Sequence, residues 1–172
     1  MLNLDAAKDG THIPRMADVF ISSSSKAPDR DIARMIAQSL EKHGISAFFQ
    51  ETVSPGENWY KQLASALDRA RVMVVLISPQ AAASQSVSKE IDFALTAPRL
   101  AERIIPVVIK RTTGLPWILD TLEPITLEGD GRKTAELVAE AVKRKLAQAR
   151  ALRRRKIAHR TKSRKAARAQ TA

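Results

Sequence analysis

The sequence predicts an α/β fold of the flavodoxin-like type: a five-stranded parallel sheet in the order 2-1-3-4-5, with helices on both faces and a basic C-terminal tail. Short apolar runs alternate five times with segments of helical periodicity, as in folds built from strand–helix–strand units. The run VMVVLI is continuous and β-branched, which indicates a strand buried on both faces. At 172 residues and 44% hydrophobic, the chain can bury one core, and with only 4% aromatics that core must be mostly aliphatic.

The first part of the chain contains two predicted strands and the helix between them. ADVFIS at 17–22 suits a short buried strand. Asp29 can cap the helix that follows, and Gly44 ends it. ISAFF at 45–49 is the second strand, and the polar loop QETVSPGEN leads from it into a helix with Trp59 on its apolar side.

The remaining elements continue the alternation. VMVVLIS at 72–78 is the third strand, and the next helix contains Glu90 and ends by Pro98. IIPVVI at 104–109 is the fourth strand, in which Pro106 indicates an edge position or irregular pairing because proline cannot donate to a ladder. PITLE at 124–128 is a weak fifth strand. A final helix is predicted from about Arg132 to Arg150, with these residues facing inward: Leu137, Val138, Ala141, Val142 and Leu146.

The sequence divides into three predicted parts: a flexible leader at 1–16 that is polar and without period, one domain at 17–150, and a basic segment at 151–172 that we expect to be disordered. All 18 acidic residues lie at or before Glu140, whereas 13 of the 29 Lys and Arg residues lie from Lys143 onward. Such a segment predicts binding to nucleic acid or to an anionic surface without sequence preference. A solvated extension that aids solubility explains the same composition.

Several kinds of site are excluded or disfavoured. The chain has no cysteine, which rules out disulfides and thiolate metal ligands, and its histidines lack ligand spacing, so we predict no metal site. No secretory or transmembrane segment is visible, and we expect a cytoplasmic protein. A P-loop and a dinucleotide fingerprint are absent, and Ser78 stands where a receiver domain would have its phosphoacceptor aspartate.

The predicted ligand site lies where the strand order reverses, between the first and third strands. The loops there are SSSSK at 22–26 and SPQAAASQS at 78–86, and the second leads into the helix of Glu90. On that helix Glu90 lies about 60° from the centre of the apolar stripe, at its edge. Hydroxyls, a helix N-terminus and a carboxylate together suit a polyhydroxylated or phosphate-bearing ligand. Taken singly, the serines could equally form a turn and a helix cap, and Glu90 could be an ordinary surface glutamate.

Four stretches in this order resemble a Toll/interleukin-1 receptor (TIR) domain of the bacterial type: DVFISSSS, DRDIARMIAQSLEKHGISAFF, SPGENWYKQLASALDRARVMVVLISP and SQSVSKEIDFAL. The resemblance covers roughly residues 17–150. It implies the sheet predicted above. It also implies an NAD+ glycohydrolase or cyclase, an NADase that cuts the nicotinamide–ribose bond in bacterial defence signalling.

The resemblance implies a role for each site residue. The catalytic glutamate of such enzymes stands in a pattern like S-x-W-x-x-x-E, which Ser84 and Glu90 match, whereas Ser86 occupies the tryptophan position. Glu90 is then the catalytic residue. The implied substrate-binding residues are Ser22, Ser23, Ser24, Ser84, Ser86, Gly56 and Trp59. NAD+ is the substrate, and no metal or other cofactor is required.

TIR domains also act by self-association, so the resemblance implies other TIR domains as partners, in a homo-oligomer or filament formed through the loop at about 50–58. Assembly is expected to raise the enzymatic activity. The alternative is a non-catalytic TIR adaptor that only binds other TIR domains, which the serine at the tryptophan position favours.

Overall fold

A computed structural model of the chain describes residues 17–49 and 59–169. Five parallel strands form one sheet in the order β2-β1-β3-β4-β5, which confirms the predicted order and fold class. The strands are β1 Val19–Ser22, β2 Ala47–Phe48, β3 Val72–Ile77, β4 Ile104–Val108 and β5 Ile125–Thr126. The predicted leader at 1–16 lies outside the described residues.

Five α-helices accompany the sheet in the described part of the chain: α1 Asp29–Lys42, α2 Trp59–Arg69, the single turn α3 Pro79–Ala82, α4 Gln85–Thr96 and α5 Arg132–Ala169. Short 3₁₀ turns at Ala101–Arg103 and Trp117–Thr121 flank β4. In the described residues, no helix combines the length and apolar character that crossing a membrane requires.

Side-chain alternation along the strands divides the core into two layers. Val19 and Ile21 of β1 pack with the buried faces of α1 and α5. Phe20 points to the opposite side of the sheet, where it stacks on Phe48 with ring centroids 5.4 Å apart and joins the apolar side chains of α2 and α4. Helices therefore cover both faces, as predicted.

Of the two alternatives predicted for Pro106, the edge position is wrong, because β4 lies between β3 and β5. Irregular pairing agrees with the structure: β5 pairs with β4 only from Val107 onward, so Pro106 has no partner on the β5 side. One residue of α5 is also misplaced. Leu137 is 43% exposed, whereas the other residues predicted to face inward from α5 are buried, namely Val138, Ala141, Val142 and Leu146. A turn of about 100° from Val138 is enough to carry Leu137 off the buried stripe.

The final helix is longer than the sequence analysis predicted. α5 continues without interruption past Arg150 to Ala169, where we expected a disordered segment. Residues 151–169 contain neither glycine nor proline and are rich in Ala, Arg and Lys, all strong helix formers. Composition alone favoured disorder because so few large apolar residues were available for burial, but propensity favours a helix over the same residues.

Gly131 allows the start of α5 to pack closely on α1. Its φ is +87°, and a β-carbon built there would lie 2.7 Å from Ile32 Cδ1 and 3.2 Å from Met35 Cε. Gly129, in the same turn, has a φ of +55° but open space around the position of a β-carbon. A substitution at Gly129 therefore introduces backbone strain alone, whereas a substitution at Gly131 introduces strain together with crowding against α1.

We expect Gly131→Ala to destabilise the fold by about 2–3 kcal/mol, because strain and overpacking add. Gly129→Ala should cost only about 1 kcal/mol, from strain alone. Urea unfolding of both variants measures the difference. Equal losses would contradict the importance of the close contact between Gly131 and α1.

Candidate functional site

The candidate site lies at the carboxyl ends of β1 and β3, the central strands where the strand order reverses. β1 ends at Ser22, which alternation places on the same side of the sheet as Phe20, the side covered by α4. Ser78 directly follows β3 and falls on the side of Leu76, which α1 covers. The two serines therefore face opposite layers of the fold.

Glu90 of α4 is held between two serine hydroxyls. Ser22 Oγ donates to Glu90 Oε2 at 2.6 Å, and Ser86 Oγ donates to Oε1 at 2.9 Å. Ser86 lies four residues before Glu90, so one helical turn brings the two side chains together. Glu90 is only 4% exposed, which makes it a buried acid held by hydroxyls and not an ordinary surface glutamate.

The protonation of Glu90 reflects two opposing effects. Burial raises the pKa of the Glu90 carboxyl above its ordinary value of 4.5, because desolvation disfavours the charged form. The hydrogen bonds from Ser22 and Ser86 act in the other direction, since they stabilise the carboxylate, but burial dominates. Glu90 thus titrates at a higher pH than a solvated glutamate.

A second serine–carboxyl pair lies on the other side of the sheet. Ser78 Oγ donates to Asp29 Oδ2 at 2.5 Å, and Asp29, the first residue of α1, is fully buried. The hydroxyl of Ser78 also accepts from the backbone N–H of Ala81 at 3.0 Å, which caps α3. Burial raises the pKa of Asp29, and hydrogen bonds from Ser78 and from the Ser24 backbone oppose this effect.

This second pair is not predicted by the sequence. The predicted capping of α1 by Asp29 is wrong: Pro28 is the N-cap residue and makes no side-chain cap hydrogen bond, while the Asp29 carboxyl turns inward to Ser78. Strand alternation after β3 could have placed Ser78 on the side of α1. Nothing in the sequence distinguishes an inward-facing aspartate at the start of a helix from a capping one.

The predicted binding residues take different positions. Ser22 and Ser86 contact Glu90, whereas Ser84 caps α4 by accepting from Val87 N at 3.4 Å. Ser23 and Ser24 are both 5% exposed in the loop after β1, and Ser24 Oγ accepts from the backbone N–H of Lys26 at 3.2 Å.

The remaining predicted binding residues are Gly56, in the segment between β2 and α2, and Trp59. Gly56 lies outside the described residues, and Trp59 is the first residue of α2. Within residues 17–49 and 59–169, no three His, Asp or Glu side chains are grouped as metal ligands would be. The described site therefore consists of two buried carboxyls and the hydroxyls that hold them.

Replacement of Glu90 by Gln should change how stability depends on pH. Because the folded chain holds the pKa of Glu90 above 4.5, the unfolded chain releases this proton first as pH rises. Wild-type stability should therefore fall between pH 4.5 and the raised folded pKa, and Glu90→Gln should not show this fall.

The expected gain of the Glu90→Gln variant over wild type is of the order of 1 kcal/mol at pH 7, or about 2–4 °C in Tm, and it should shrink towards pH 4. Asp92→Asn, exposed on the same helix, is the matched control and should show no such trend. A Tm difference between Glu90→Gln and wild type that is the same at both pH values would rule out the raised pKa.

The comparisons with known proteins agree with this architecture. The sequence model of the TIR domain family matches residues 19–142, which include all five strands and the start of α5. No protein of curated function matches the chain in sequence.

Solved structures of TIR proteins resemble the chain in fold. A metazoan TIR-STING receptor from C. gigas, solved in complex with 2',3'-cGAMP, is 26% identical with a TM-score of 0.61, over 73% of this chain and 39% of that one. The same kind of receptor described without the ligand gives a TM-score of 0.57 over 73% of this chain and 40% of that one. The chain thus spans about two fifths of the length of these receptors.

The TIR domain of the Toll-related receptor TRR-2 from Hydra magnipapillata is similar in fold, with a TM-score of 0.51 at 21% identity, over 64% of this chain and 83% of that one. At this identity the likeness supports the fold alone. The family match, however, spans most of the chain and coincides with the sheet and the helices that enclose Glu90. The chain belongs to the TIR domain family.

Proposed function

We propose that this TIR domain is an NAD+ glycohydrolase or cyclase, which cleaves the bond between nicotinamide and ribose with Glu90 as the catalytic residue. The observation that supports the proposal is the burial of Glu90 between Ser22 and Ser86 at the carboxyl end of β1, where open parallel sheets bind their ligands. In this proposal the product serves bacterial defence signalling in the cytoplasm.

The proposed reaction breaks the bond between ribose C1′ and the nicotinamide ring nitrogen. The electron pair of that bond leaves with nicotinamide, which departs as a neutral molecule, so the leaving group needs no acid. Positive charge develops on the ribose, as in glycoside cleavage. Water then attacks C1′ and releases one proton, giving ADP-ribose; attack by a nitrogen of the substrate's own adenine would give a cyclic product instead. Neither route requires a metal or a second cofactor.

Glu90 can contribute to this reaction through charge and through orientation. A carboxylate in a site withdrawn from water attracts a developing cation more strongly than the same group in solvent. Each carboxylate oxygen of Glu90 accepts one serine hydroxyl and keeps further lone-pair capacity, which ribose hydroxyls could use. The cationic nicotinamide ring would also favour the ionised form of Glu90, offsetting the effect of burial on its pKa.

Access to Glu90 requires a local adjustment. At 4% exposure the carboxyl is nearly closed off by its own serines. Ser86 is half-buried, and it is the more exposed of the two serines that contact the Glu90 carboxyl, since Ser22 is fully buried. Rotation of the Ser86 hydroxyl away from Oε1 would free one oxygen for the ribose without a change in the strands.

The test of the proposal is nicotinamide release from NAD+ by purified, concentrated protein. Glu90→Gln should lower kcat at least about 100-fold, the cost typical of losing one electrostatic stabiliser. Asp92→Asn, on the exposed side of α4, should retain wild-type activity. For the wild type, kcat/KM should rise with pH through the raised pKa of Glu90, since the ionised form is the active one. Undiminished turnover by Glu90→Gln would disprove the catalytic role.

We also propose that self-association, through other TIR domains in a homo-oligomer or filament, raises the activity. Turnover per molecule should increase about tenfold between dilute monomer and crowded, concentrated protein, within the usual range of coupling between two binding events. Light scattering recorded on the same samples reports the assembly. Full turnover in dilute, demonstrably monomeric protein would contradict the coupling.

The alternative function is a non-catalytic adaptor that acts through TIR–TIR contacts alone. The observation that favours it is the serine at the tryptophan position. The Ser86 hydroxyl donates a hydrogen bond to Glu90, so one oxygen of the carboxyl is occupied by a residue of the same helix. An adaptor would assemble while NAD+ stays intact. Assembly by light scattering together with no nicotinamide release under crowding would therefore decide for the adaptor.

A further inference from the structure

The C-terminal half of α5 extends beyond the part of the helix that packs on the sheet. α5 contains 38 residues, which correspond to about 57 Å at 1.5 Å per residue. Among the residues of α5 whose side chains the structure describes, the last buried ones are Leu146 and Ala149, which are 5% and 7% exposed, whereas Leu152 and Ile157 are 46% and 57% exposed. The helix continues for about 30 Å after Ala149.

This extension, residues 150–169, has ten Lys and Arg residues and no acidic residue. Earlier in α5, Glu140 pairs with Lys143 at 2.6 Å, so the first turns neutralise part of their own charge. The extension has no acid of its own three or four residues from any cation after Arg150, so it cannot do the same within itself. The extension therefore carries ten formal positive charges that only groups outside it can neutralise.

The cations of the extension are concentrated on one side of the helix. At about 100° per residue, seven of the ten fall within an arc of about 140°, here called the basic stripe: Arg150, Arg153, Arg154, Arg160, Arg164, Lys165 and Arg168. The other three, Arg155, Lys156 and Lys162, lie off the stripe. Neighbouring like charges at a spacing of four destabilise a helix in isolation, and a row of phosphates would relieve that repulsion.

The composition of the extension selects among anionic partners. An amphipathic helix that enters a membrane needs a broad apolar face, and the extension has only Leu152 and Ile157 as large apolar residues. It contains no aromatic residue for stacking on single-stranded bases. The major groove of B-form DNA is wide enough for an α-helix, whereas that of A-form RNA is deep and narrow. These properties favour a DNA duplex.

We propose that the extension of α5 binds double-stranded DNA through its basic stripe, by contacts with phosphates and without sequence preference. Residues 150–169 contain no Asn, Gln, Asp or Glu, the side chains that read adenine and cytosine edges, whereas all ten of their cations can contact phosphates. The surface is separate from Glu90, so the proposal does not depend on the NAD+ chemistry.

The experiment is fluorescence anisotropy of the full-length chain with two labelled DNA duplexes of unrelated sequence, over a range of salt concentrations. The two duplexes should bind within about twofold of each other. The slope of log Kobs against log salt should be about −4.5 to −6.3, as expected for roughly five to seven neutralised phosphates. A slope near zero, or a large preference for one sequence, would overturn the proposal.

Two triple variants with the same loss of charge test the stripe. Arg153→Gln, Arg160→Gln and Arg164→Gln together remove three stripe cations, and Arg155→Gln, Lys156→Gln and Lys162→Gln remove the three others. Glutamine keeps a high helix propensity in both. The stripe variant should bind DNA about 10- to 100-fold more weakly, with a slope reduced by about 2–3, whereas the control should lose less than about threefold.

Equal losses of DNA affinity in the two triple variants would show that total charge matters and that the basic stripe does not, which would overturn the proposal.

The wild type should bind a 20-base-pair RNA duplex, and vesicles containing phosphatidylserine, at least about tenfold more weakly than DNA at equal salt. Equal or tighter binding to either would reassign the surface to that partner. Both variants should keep the NAD+ turnover of the wild type, whatever that turnover is.

Discussion

The hydrogen bond from Ser22 to Glu90 is the constraint on which the candidate site depends. A carboxyl that is 4% exposed is costly to bury unless hydroxyls or N–H groups meet it, and here one hydroxyl comes from the end of β1 and one from the preceding turn of α4. Ser22 reaches Glu90 only because β1 is central in the sheet and its alternation turns this residue towards α4. A shift of one residue in β1 would direct the hydroxyl to the other layer and leave the acid without this partner.

Burial of two carboxyls at one end of the sheet costs stability, because desolvation disfavours their charged forms. Both Asp29 and Glu90 have pKa values raised mainly by desolvation. Buried acids with raised pKa values are found at functional sites more often than elsewhere, although structural networks also produce them. In the described part of the chain, Asp29 and Glu90 are the groups that are both buried and ionisable.

Hydrophobic periodicity predicted the alternation of strands and helices, including a helix around Glu90 that ends by Pro98, and the strand order 2-1-3-4-5 was also predicted. The topology of parallel sheets placed the serine loop after the first strand near the helix of Glu90, but it did not predict the hydrogen bond between Ser22 and Glu90. It did not predict the pairing of Asp29 with Ser78, since the rotamer of a residue at a helix start depends on tertiary contacts. It also ended α5 near Arg150, because the scarcity of large apolar residues was given more weight than helix propensity. Leu137 was predicted to face inward but is exposed, whereas its neighbour Val138 is buried. Hydrophobic periodicity does not fix the edge of a buried stripe to within one residue.

Ser78 connects parts of the molecule that belong to different layers. Its single hydroxyl donates a hydrogen bond to Asp29 at the first turn of α1 and accepts one from the backbone N–H of Ala81 in α3. Loss of this one hydroxyl would therefore remove a partner from the buried Asp29 carboxyl and the side-chain cap of α3 at the same time.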